Sequence, residues 1–173
     1  DFILPGQDSA YAWQGFIPTE ENPMIKNPER GFVSSANQKS TDQTYPYYLG
    51  AASNFPVYRG VIINRKLSEL TNATAQDIQR LQMDNYNVFA EMARPVLMKY
   101  IDQTSLTADE EKYLNILCFW HLVSDVKEKG ASVFNVIWDS LETTIWSDEF
   151  AGATTSIGWP DEITLLESIK RDS

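Results

Sequence analysis

The stretch TAQDIQRLQMDNYNVFAEMARPVLMKYID, residues 74–102, decides the class of fold. Its first residue, Thr74, is followed three positions later by Asp77, a spacing at which a helix N-cap and a reciprocal side chain satisfy each other's backbone amides. The pattern predicts a long amphipathic helix over residues 75–102, kinked or split at Pro95 because proline removes one backbone hydrogen bond. The apolar positions behind this prediction recur at spacings of three and four: Ile78, Leu81, Val88, Phe89, Met92, Val96, Leu97 and Ile101.

A second helix is predicted by the capping box of Thr107 and Glu110, which precedes a broad apolar face extending to Val123. The single cysteine, Cys118, and the single histidine, His121, fall on this helix. We expect both to lie in its apolar surroundings, with structural rather than catalytic roles, although a general base at His121 and a nucleophile at Cys118 are the alternatives.

The remaining helices are indicated by weaker signals. The lysine-bearing run 127–129 followed by Gly130 is typical of a helix stop, and Ser132 is then expected to cap a third long helix. Within the ambiguous stretch 61–70 we favour a short helix from residue 66 onward. A short last helix is expected over residues 161–169.

The first 60 residues differ in composition from the rest, since they hold six of the eight prolines: Pro5, Pro18, Pro23, Pro28, Pro46 and Pro56. Long helices are improbable there, and two short strands are predicted, one at Phe16 and Ile17 and one over residues 31–35. The predicted fold class is therefore mainly α, with one or two short strands in the proline-rich N-terminal third. The predicted organisation is a strand and loop segment, residues 1–60, followed by a helical subdomain, residues 61–173.

Composition excludes several classes of function. The chain has 173 residues and a formal net charge of -10, so the positive surface that nucleic acid or an anionic membrane would need is not expected. One cysteine forms no internal disulfide, and one histidine makes a transition-metal cluster improbable. No apolar stretch approaches the roughly 20 residues that span a bilayer.

Other groups of side chains offer chemistry, but each has a structural explanation. Glu20 and Glu21 fit an acidic loop, and the acidic run 109–111 lies in a first helical turn, where it complements the helix dipole. The aromatic set could line a ligand pocket or pack as loop residues on the helices: Tyr45, Tyr47, Tyr48, Phe55 and Tyr58. The residues alone therefore do not define a self-sufficient active site.

The most informative segment is NPERGFVSSANQ, residues 27–38. Turn signals bracket a short apolar run that ends at Asn37, where a rigid side-chain amide is able to act as a hydrogen-bond donor. Such a donor stabilises the oxyanion that develops when an amide carbonyl is attacked. The alternative is that Asn37 simply forms the turn, which is a common role for asparagine.

Four segments together resemble the penicillin amidase, or penicillin acylase, family of N-terminal-nucleophile hydrolases. They are SAYAWQGFIP (9–18), NPERGFVSSANQ (27–38), YPYYLG (45–50), and Tyr58-Arg59 leading into residues 66–70. The chain looks like an internal piece of that family's β chain, and the match is specific in the first 60 residues and diffuse in the helices.

The resemblance implies two catalytic residues in this segment. Asn37 falls on the family's oxyanion-hole donor, and Arg59 on the basic residue that supports both that hole and the amine of the nucleophile. The nucleophile itself is a serine at the start of the β chain, freed by autoproteolysis, with its own α-amine as the base. Because Asp1 carries no hydroxyl or thiol, the nucleophile is expected upstream and the isolated segment is expected to be inactive.

Three positions depart from the family pattern. Ser35 stands where relatives often carry asparagine, and His121 stands where many carry aspartate. Some members provide a calcium ligand just after the Tyr-Pro motif, but the residues near Leu49 in this chain are aliphatic or aromatic. No cofactor is therefore expected from this segment, although calcium bound elsewhere in the parent protein stays open, and no metal ligands or substrate-binding residues are assigned.

The resemblance implies an extracytoplasmic, typically periplasmic, amide hydrolase acting on small N-acylated molecules such as β-lactams, acyl-homoserine lactones or acylated amino acids. The partners of this segment would be the rest of the parent α and β chains. The two short strands would pair with the parent sheet, and the apolar surface left uncovered in the isolated segment is expected to make it dimerise. The alternative is a non-catalytic helical module whose aromatic loop, residues 45–58, binds an apolar ligand or a partner protein.

Overall fold

The computed structural model describes residues 4–49, 56–153 and 157–171. The chain divides into two units, an N-terminal unit, Asp1–Val57, and a C-terminal unit, Tyr58–Ser173. All six α-helices of the described residues lie in the C-terminal unit. The predicted mainly α fold is confirmed.

The helices follow one another with short connections. Their bounds are α1 Tyr58–Glu69, α2 Ala75–Gln82, α3 Val88–Tyr100, α4 Ala108–Phe119, α5 Lys129–Glu149 and α6 Glu162–Arg171. Both predicted capping boxes are present, at Thr74 with Asp77 and at Thr107 with Glu110. The predicted last helix is also confirmed, as α6. None of the helices in the described ranges is both long and apolar enough to cross a membrane.

The core of the C-terminal unit is an aromatic cluster between α3, α5 and the segment after α4. The Phe89 ring meets Trp138 edge-on, with centroids 4.7 Å apart, and lies 5.8 Å from the Phe134 ring. Such edge-to-face contacts are more favourable than burial of the same area alone. The buried residues that complete the cluster are Ala90, Ala93, Leu117, Trp120, Leu122, Leu165 and Leu166.

The predicted long helix over residues 75–102 is wrong, because it is two helices with a break at residues 83–87. The break is made by polar side chains that bond to nearby backbone: Asp84 Oδ1 accepts from the Tyr86 amide at 3.0 Å, and Asn87 Oδ1 accepts from the Ala90 amide at 2.8 Å. Side chains of this type compete with helical hydrogen bonds and start a new helix instead. Pro95, where the break was expected, lies inside α3, which continues through it.

The segment after α4 also differs from the prediction. The helix ends at Phe119, and Trp120 adopts an extended conformation (φ -67°, ψ 130°). Arg94 stabilises this end, since its Nη1 donates to the carbonyl oxygens of Leu117 at 3.2 Å and Trp120 at 2.7 Å, two groups left without helical partners. The chain then passes through Leu122, which is left-handed with φ +63°, to Val123, which forms an isolated antiparallel bridge with Tyr86.

The predicted helix stop at Gly130 and the predicted cap at Ser132 are both wrong. Gly130 is the second residue of α5, and Glu128 is the N-cap, so Ser132 lies inside the helix. Gly130 is buried against the Trp120 side chain, and a Cβ atom added there would overlap Trp120 Cβ and Cγ. Close packing, rather than the freedom to adopt a positive φ, is therefore the reason for a glycine at this position.

Helix α1 begins at Tyr58, eight residues before the start that we predicted. Its β-branched residues make the sequence ambiguous, but packing against α3 decides the outcome. The Tyr58 ring lies 5.3 Å from the Phe89 ring, and Arg65 pairs with Glu91 at 2.9 Å. Lys66 makes a further ion pair with Asp84, from the break between α2 and α3.

The two strands predicted in the N-terminal unit do not form. Phe16 is fully exposed, and residues 31–35 have no strand partner within the described parts of the chain. A strand needs a neighbouring strand to satisfy its backbone hydrogen-bonding groups. The sequence pattern indicates where a strand is possible, but the expected neighbour is the sheet of the parent protein. The described regular structure of the unit consists of two 3₁₀ turns, Ser9–Tyr11 and Thr19–Glu21.

Tyr58 and Glu162 form a half-buried pair where the first turns of α1 and α6 meet. Burial, and then the charge of Glu162, raise the pKa of Tyr58. Burial is also the main cause that raises the pKa of Glu162 above its ordinary value of 4.5, and the carboxylates of Glu142 and Asp161 add to it. Desolvation and like charges both disfavour the ionised form of an acid.

Glu162 should therefore make the unfolding free energy depend on pH. Because its pKa is raised on folding, the folded state binds the proton more tightly. The contribution is fully present below about pH 4.5 and is lost as pH rises through the higher folded value. We expect Glu162→Gln to become progressively more stable than the wild type above pH 4.5 in urea unfolding. If the difference in unfolding free energy between Glu162→Gln and the wild type does not change with pH, the assignment is contradicted.

Candidate functional site

The motif over residues 27–38 begins with a tight turn that its own sequence explains. The Gly31 amide donates to the carbonyl oxygen of Pro28 at 2.9 Å, and Gly31 has φ +76°, which favours glycine. The Arg30 side chain folds back over the next residue, donating from Nε to the Phe32 carbonyl oxygen at 3.0 Å, with its Cζ 4.7 Å from the Phe32 ring centre. The turn therefore sets the direction in which the chain approaches Asn37.

Asn37 lies on the surface in a left-handed conformation, with φ +63°. Non-glycine residues rarely adopt this region, and asparagine is among the few that tolerate it. The residue before it, Ala36, is buried, with 5% of its surface exposed. The conformation fits the turn-forming alternative directly, and an oxyanion donor at Asn37 stays a prediction.

One side chain closes the loop around Asn37. Gln38 Oε1 accepts from the Ala36 amide at 2.5 Å, and Gln38 Nε2 donates to the Ser34 carbonyl oxygen at 3.1 Å. The Gln38 amide thus bridges a donor and an acceptor on the preceding backbone. Gln38 is not among the residues predicted from the sequence, because no local pattern shows where its side chain reaches.

Arg59 is the second residue of α1, and its side chain is exposed. The first turn of α1 carries no acidic residue. A cation in that position is unfavourable to the helix dipole. Asn37 and Arg59 belong to different units, and each is positioned by its own unit.

The aromatic residues that were expected to line a pocket or pack on the helices lie in two different places, some in the N-terminal loop and one in the helical core. Tyr45 and Tyr47 hold the loop onto the 3₁₀ turn Thr19–Glu21: the Tyr45 hydroxyl donates to the Glu21 carbonyl oxygen at 2.9 Å, and the Tyr47 hydroxyl donates to Glu21 Oε2 at 2.6 Å. The bond to Glu21 raises the pKa of Tyr47. Tyr58 packs in the core of the other unit, and Phe55 lies outside the described residues.

An open cavity of about 360 Å³ lies beside this loop in the N-terminal unit. Its wall combines the rings of Tyr47 and Tyr48 with one lysine, Lys39, and one carboxylate, Asp42. Asp42 is already engaged, since its Oδ1 accepts from the Thr44 amide and hydroxyl at 2.8 and 2.6 Å, bonds that lower the pKa of Asp42. The cavity has room for a small molecule with an apolar body.

The residues near Leu49 do not fit a calcium site, because calcium takes oxygen ligands and Tyr48 and Leu49 bring no carboxylate. Among the described residues, no group of three or more histidine, cysteine or acidic side chains is arranged to hold a metal ion. We therefore assign no catalytic step to calcium at this position.

The predicted interior positions of His121 and Cys118 are wrong, because both residues are exposed. His121 lies in the non-helical segment after α4, between buried Trp120 and buried Leu122, and Leu122 has φ +63°. The Cys118 sulfur lies 3.8 Å from Met98 Sδ. Within the described part of the chain, no catalytic partner lies beside either residue. Structural roles therefore remain our interpretation, although neither residue lies in the interior.

Comparison with known proteins gives one family. The sequence profile described as penicillin amidase matches residues 1–172. The chain is 26% identical over 138 residues to penicillin acylase 2 proenzyme of Pseudomonas sp. strain SE83, covering 80% of this chain and 17% of that protein. It is 28% identical over 171 residues to the acyl-homoserine lactone acylase QuiP of Pseudomonas syringae pv. syringae, covering 90% of this chain and 20% of that protein.

A second acyl-homoserine lactone acylase QuiP, from Pseudomonas fluorescens, is 24% identical over 170 residues, covering 90% of this chain and 20% of that protein. The chain thus spans about a fifth of the length of the curated relatives it matches. No solved structure gives a significant match.

Proposed function

The chain belongs to the penicillin amidase family, and from that membership we propose that it is a segment of an N-terminal-nucleophile amide hydrolase. The parent enzyme would cleave N-acyl amide bonds through a serine that autoproteolysis exposes at the start of its β chain, outside these 173 residues. The serine hydroxyl would attack the amide carbonyl, and its own α-amine would accept the proton. The isolated segment would then be inactive.

Asn37 would supply an oxyanion-hole donor. The observation that carries this proposal is the loop over residues 34–38, in which a family-motif asparagine is held on the surface at φ +63° by a side-chain bridge. Oxyanion donors are effective because they are fixed before the charge develops and do not have to reorganise during the reaction. A side-chain amide on a closed loop meets that requirement better than one on a loop with no bridge.

Arg59 would support the oxyanion hole and the α-amine of the nucleophile. Its guanidinium adds positive charge to the N-terminal end of α1, where the helix dipole is also positive. Positive charge suits a site in which negative charge develops on the substrate, and a positive charge near the α-amine favours the neutral form that acts as the base.

The substrates would be small N-acylated molecules. The relatives include a penicillin acylase and acyl-homoserine lactone acylases, so β-lactams and acyl-homoserine lactones are the first substrates to test. We further propose an extracytoplasmic location, no cofactor contributed by this segment, and assembly with the remaining α and β chain segments, which would cover the exposed aromatic residues Trp13 and Phe16. The isolated segment is expected to dimerise through that surface.

The proposal is tested on the whole protein. The purified enzyme is incubated with an N-acyl homoserine lactone and with a penicillin, and the released amine is measured, while the mature β chain is sequenced from its amino terminus. We expect hydrolysis of at least one of the two and a serine as the new terminal residue. A terminus without a hydroxyl or thiol, or a chain that is never cleaved, would contradict the proposed mechanism.

A non-catalytic binding module is the second candidate, and the cavity beside Tyr47 and Tyr48 favours it. Calorimetry separates the two functions. Micromolar binding of an acyl or peptide ligand by the isolated segment supports the binding module, because an acylase pocket needs walls from the rest of the enzyme. Absence of binding together with hydrolysis by the whole protein supports the enzyme.

A further inference from the structure

We propose that Gln38 is a positioning residue that holds Asn37 in the conformation from which its amide donates to the oxyanion. This inference rests on the proposed function of Asn37 and assigns a role to a second side chain of the same loop. Gln38 itself need not touch the substrate, since its amide is already bonded to the backbone of the loop.

The geometry behind this inference is the double hydrogen bond of the Gln38 amide. The oxygen takes the proton of the Ala36 amide at 2.5 Å, and the nitrogen gives a proton to the Ser34 carbonyl oxygen at 3.1 Å. The two bonds close rings over the backbone on the approach to Asn37. A loop closed in this way has fewer conformations available to it than an open one.

The surroundings make the bridge necessary. Ala36 is buried, so its backbone N–H needs a partner inside the protein, and Gln38 Oε1 is that partner. The next residue, Asn37, has φ +63°, which most side chains avoid. Because Asn37 lies between Ala36 and Gln38, inside the ring that the bridge closes, loss of the bridge releases the backbone that carries the Asn37 side chain.

Both the length of the Gln38 side chain and its hydrogen-bonding groups are needed to form the bridge. Leucine has a similar size but neither donor nor acceptor, so Gln38→Leu removes both bonds. Glutamate keeps the acceptor for the Ala36 amide and replaces the donor with a charged oxygen opposite the Ser34 carbonyl, so Gln38→Glu removes one bond and keeps the other. The two variants therefore form a graded series at one position.

The experiment measures kcat and KM in the whole mature enzyme for the wild type, Gln38→Leu, Gln38→Glu and Asn37→Gly. We expect Gln38→Leu to lower kcat by between about 10-fold and 100-fold with KM within about twofold, the range expected when a catalytic group is misplaced by up to about 1 Å. Gln38→Glu should fall between Gln38→Leu and the wild type. Gln14→Leu is the matched control, because Gln14 also bridges backbone carbonyls, of Ser9 and Ala12, but in a different turn. Its kcat should equal that of the wild type.

The double variant Asn37→Gly/Gln38→Leu separates positioning from a general loss of structure. If Gln38 acts through Asn37, the second change has no further effect on kcat once the Asn37 amide is gone. An equal further loss in that background overturns the inference, as does wild-type kcat in Gln38→Leu while Asn37→Gly is defective. Wild-type kcat in Asn37→Gly contradicts the proposed function instead. The fraction of chain that matures is measured for every variant, so that a folding defect is seen directly.

Discussion

Replacement of Asn37 by glycine in the whole enzyme is expected to lower kcat by roughly two to three orders of magnitude, the usual effect of removing one oxyanion donor. KM should change little, because the interaction strengthens when the carbonyl oxygen becomes negative and contributes less to binding of the ground state. The mature protein should still form. The measurement is steady-state kinetics with the N-acyl substrate that the wild type hydrolyses best.

Glycine is the informative replacement because Asn37 has φ +63°. Alanine would remove the amide and also strain the backbone, so a loss of activity would have two explanations. Glycine adopts this conformation freely and removes only the amide. Recovery of wild-type kcat with glycine would therefore mean that Asn37 is a turn former and nothing more.

A control for the backbone change is available at Asn72, which is also exposed and left-handed, with φ +53°, in the loop before α2. Asn72→Gly makes the same substitution in the same backbone conformation outside the proposed site. We expect its kcat and KM to equal those of the wild type. A comparable loss in Asn72→Gly would show that asparagine-to-glycine changes in loops of this enzyme act through folding.

Local sequence signals predicted helix starts well where a capping box marks them, and the starts of α1, α3 and α5 were not predicted. Thr74 and Thr107 were identified as caps because a cap and its partner lie three residues apart, within one turn. Asn87 was missed because an apolar period continues across it, although its side chain caps α3. The interruption depends on distant contacts as well: the Asn87 amide donates to the Leu122 carbonyl oxygen at 2.7 Å, a pairing that no local pattern shows.

The exposure of Cys118 and of His121 has two different causes. Cys118 lies in α4 as predicted, but on the exposed side of that helix, whereas the apolar run was expected to continue as a helix to Val123 and residues 120–123 are not helical. Three contacts hold this non-helical form: Trp120 Nε1 donates to the Val123 carbonyl oxygen at 2.8 Å, the Ser124 amide donates to the Asn85 carbonyl oxygen at 3.1 Å, and the Asn85 side chain donates to Asp125 Oδ1 at 2.9 Å. Apolar residues suit either conformation, so composition could not decide between them.

The candidate site was predicted from the family motif rather than from physical signals. Asn37 and Arg59 were named because the surrounding residues resemble a known family, and the loop geometry explains how Asn37 is held. Gln38 could not be inferred in the same way, because its role depends on where its side chain reaches, and a glutamine on an exposed loop has no characteristic spacing. Side-chain bridges over three to five residues are visible once the backbone is known.

Gly130→Ala is expected to lower the free energy of unfolding of the chain by about 3 kcal/mol, at the upper end of the usual cost of overpacking. In an exposed helix the same change is stabilising, because alanine is the better helix former. Here the added methyl group would overlap Cβ and Cγ of Trp120, and no rotamer change moves Cβ out of the way. To relieve the overlap, α5 must move away from the segment after α4, which opens the aromatic core around Phe134.

The prediction is checked by urea unfolding followed by tryptophan fluorescence and circular dichroism, with Gly152→Ala as the control, since a Cβ at Gly152 meets nothing within 4 Å. A second test places Gly130→Ala in a Trp120→Ala background. Alanine lacks Cγ and Cδ1, two of the three atoms nearest to the added methyl group, so that group should cost less there, although Trp120→Ala alone is destabilising because it leaves a cavity. An equal cost in both backgrounds would mean that the Trp120 side chain beyond Cβ is not what requires glycine at position 130.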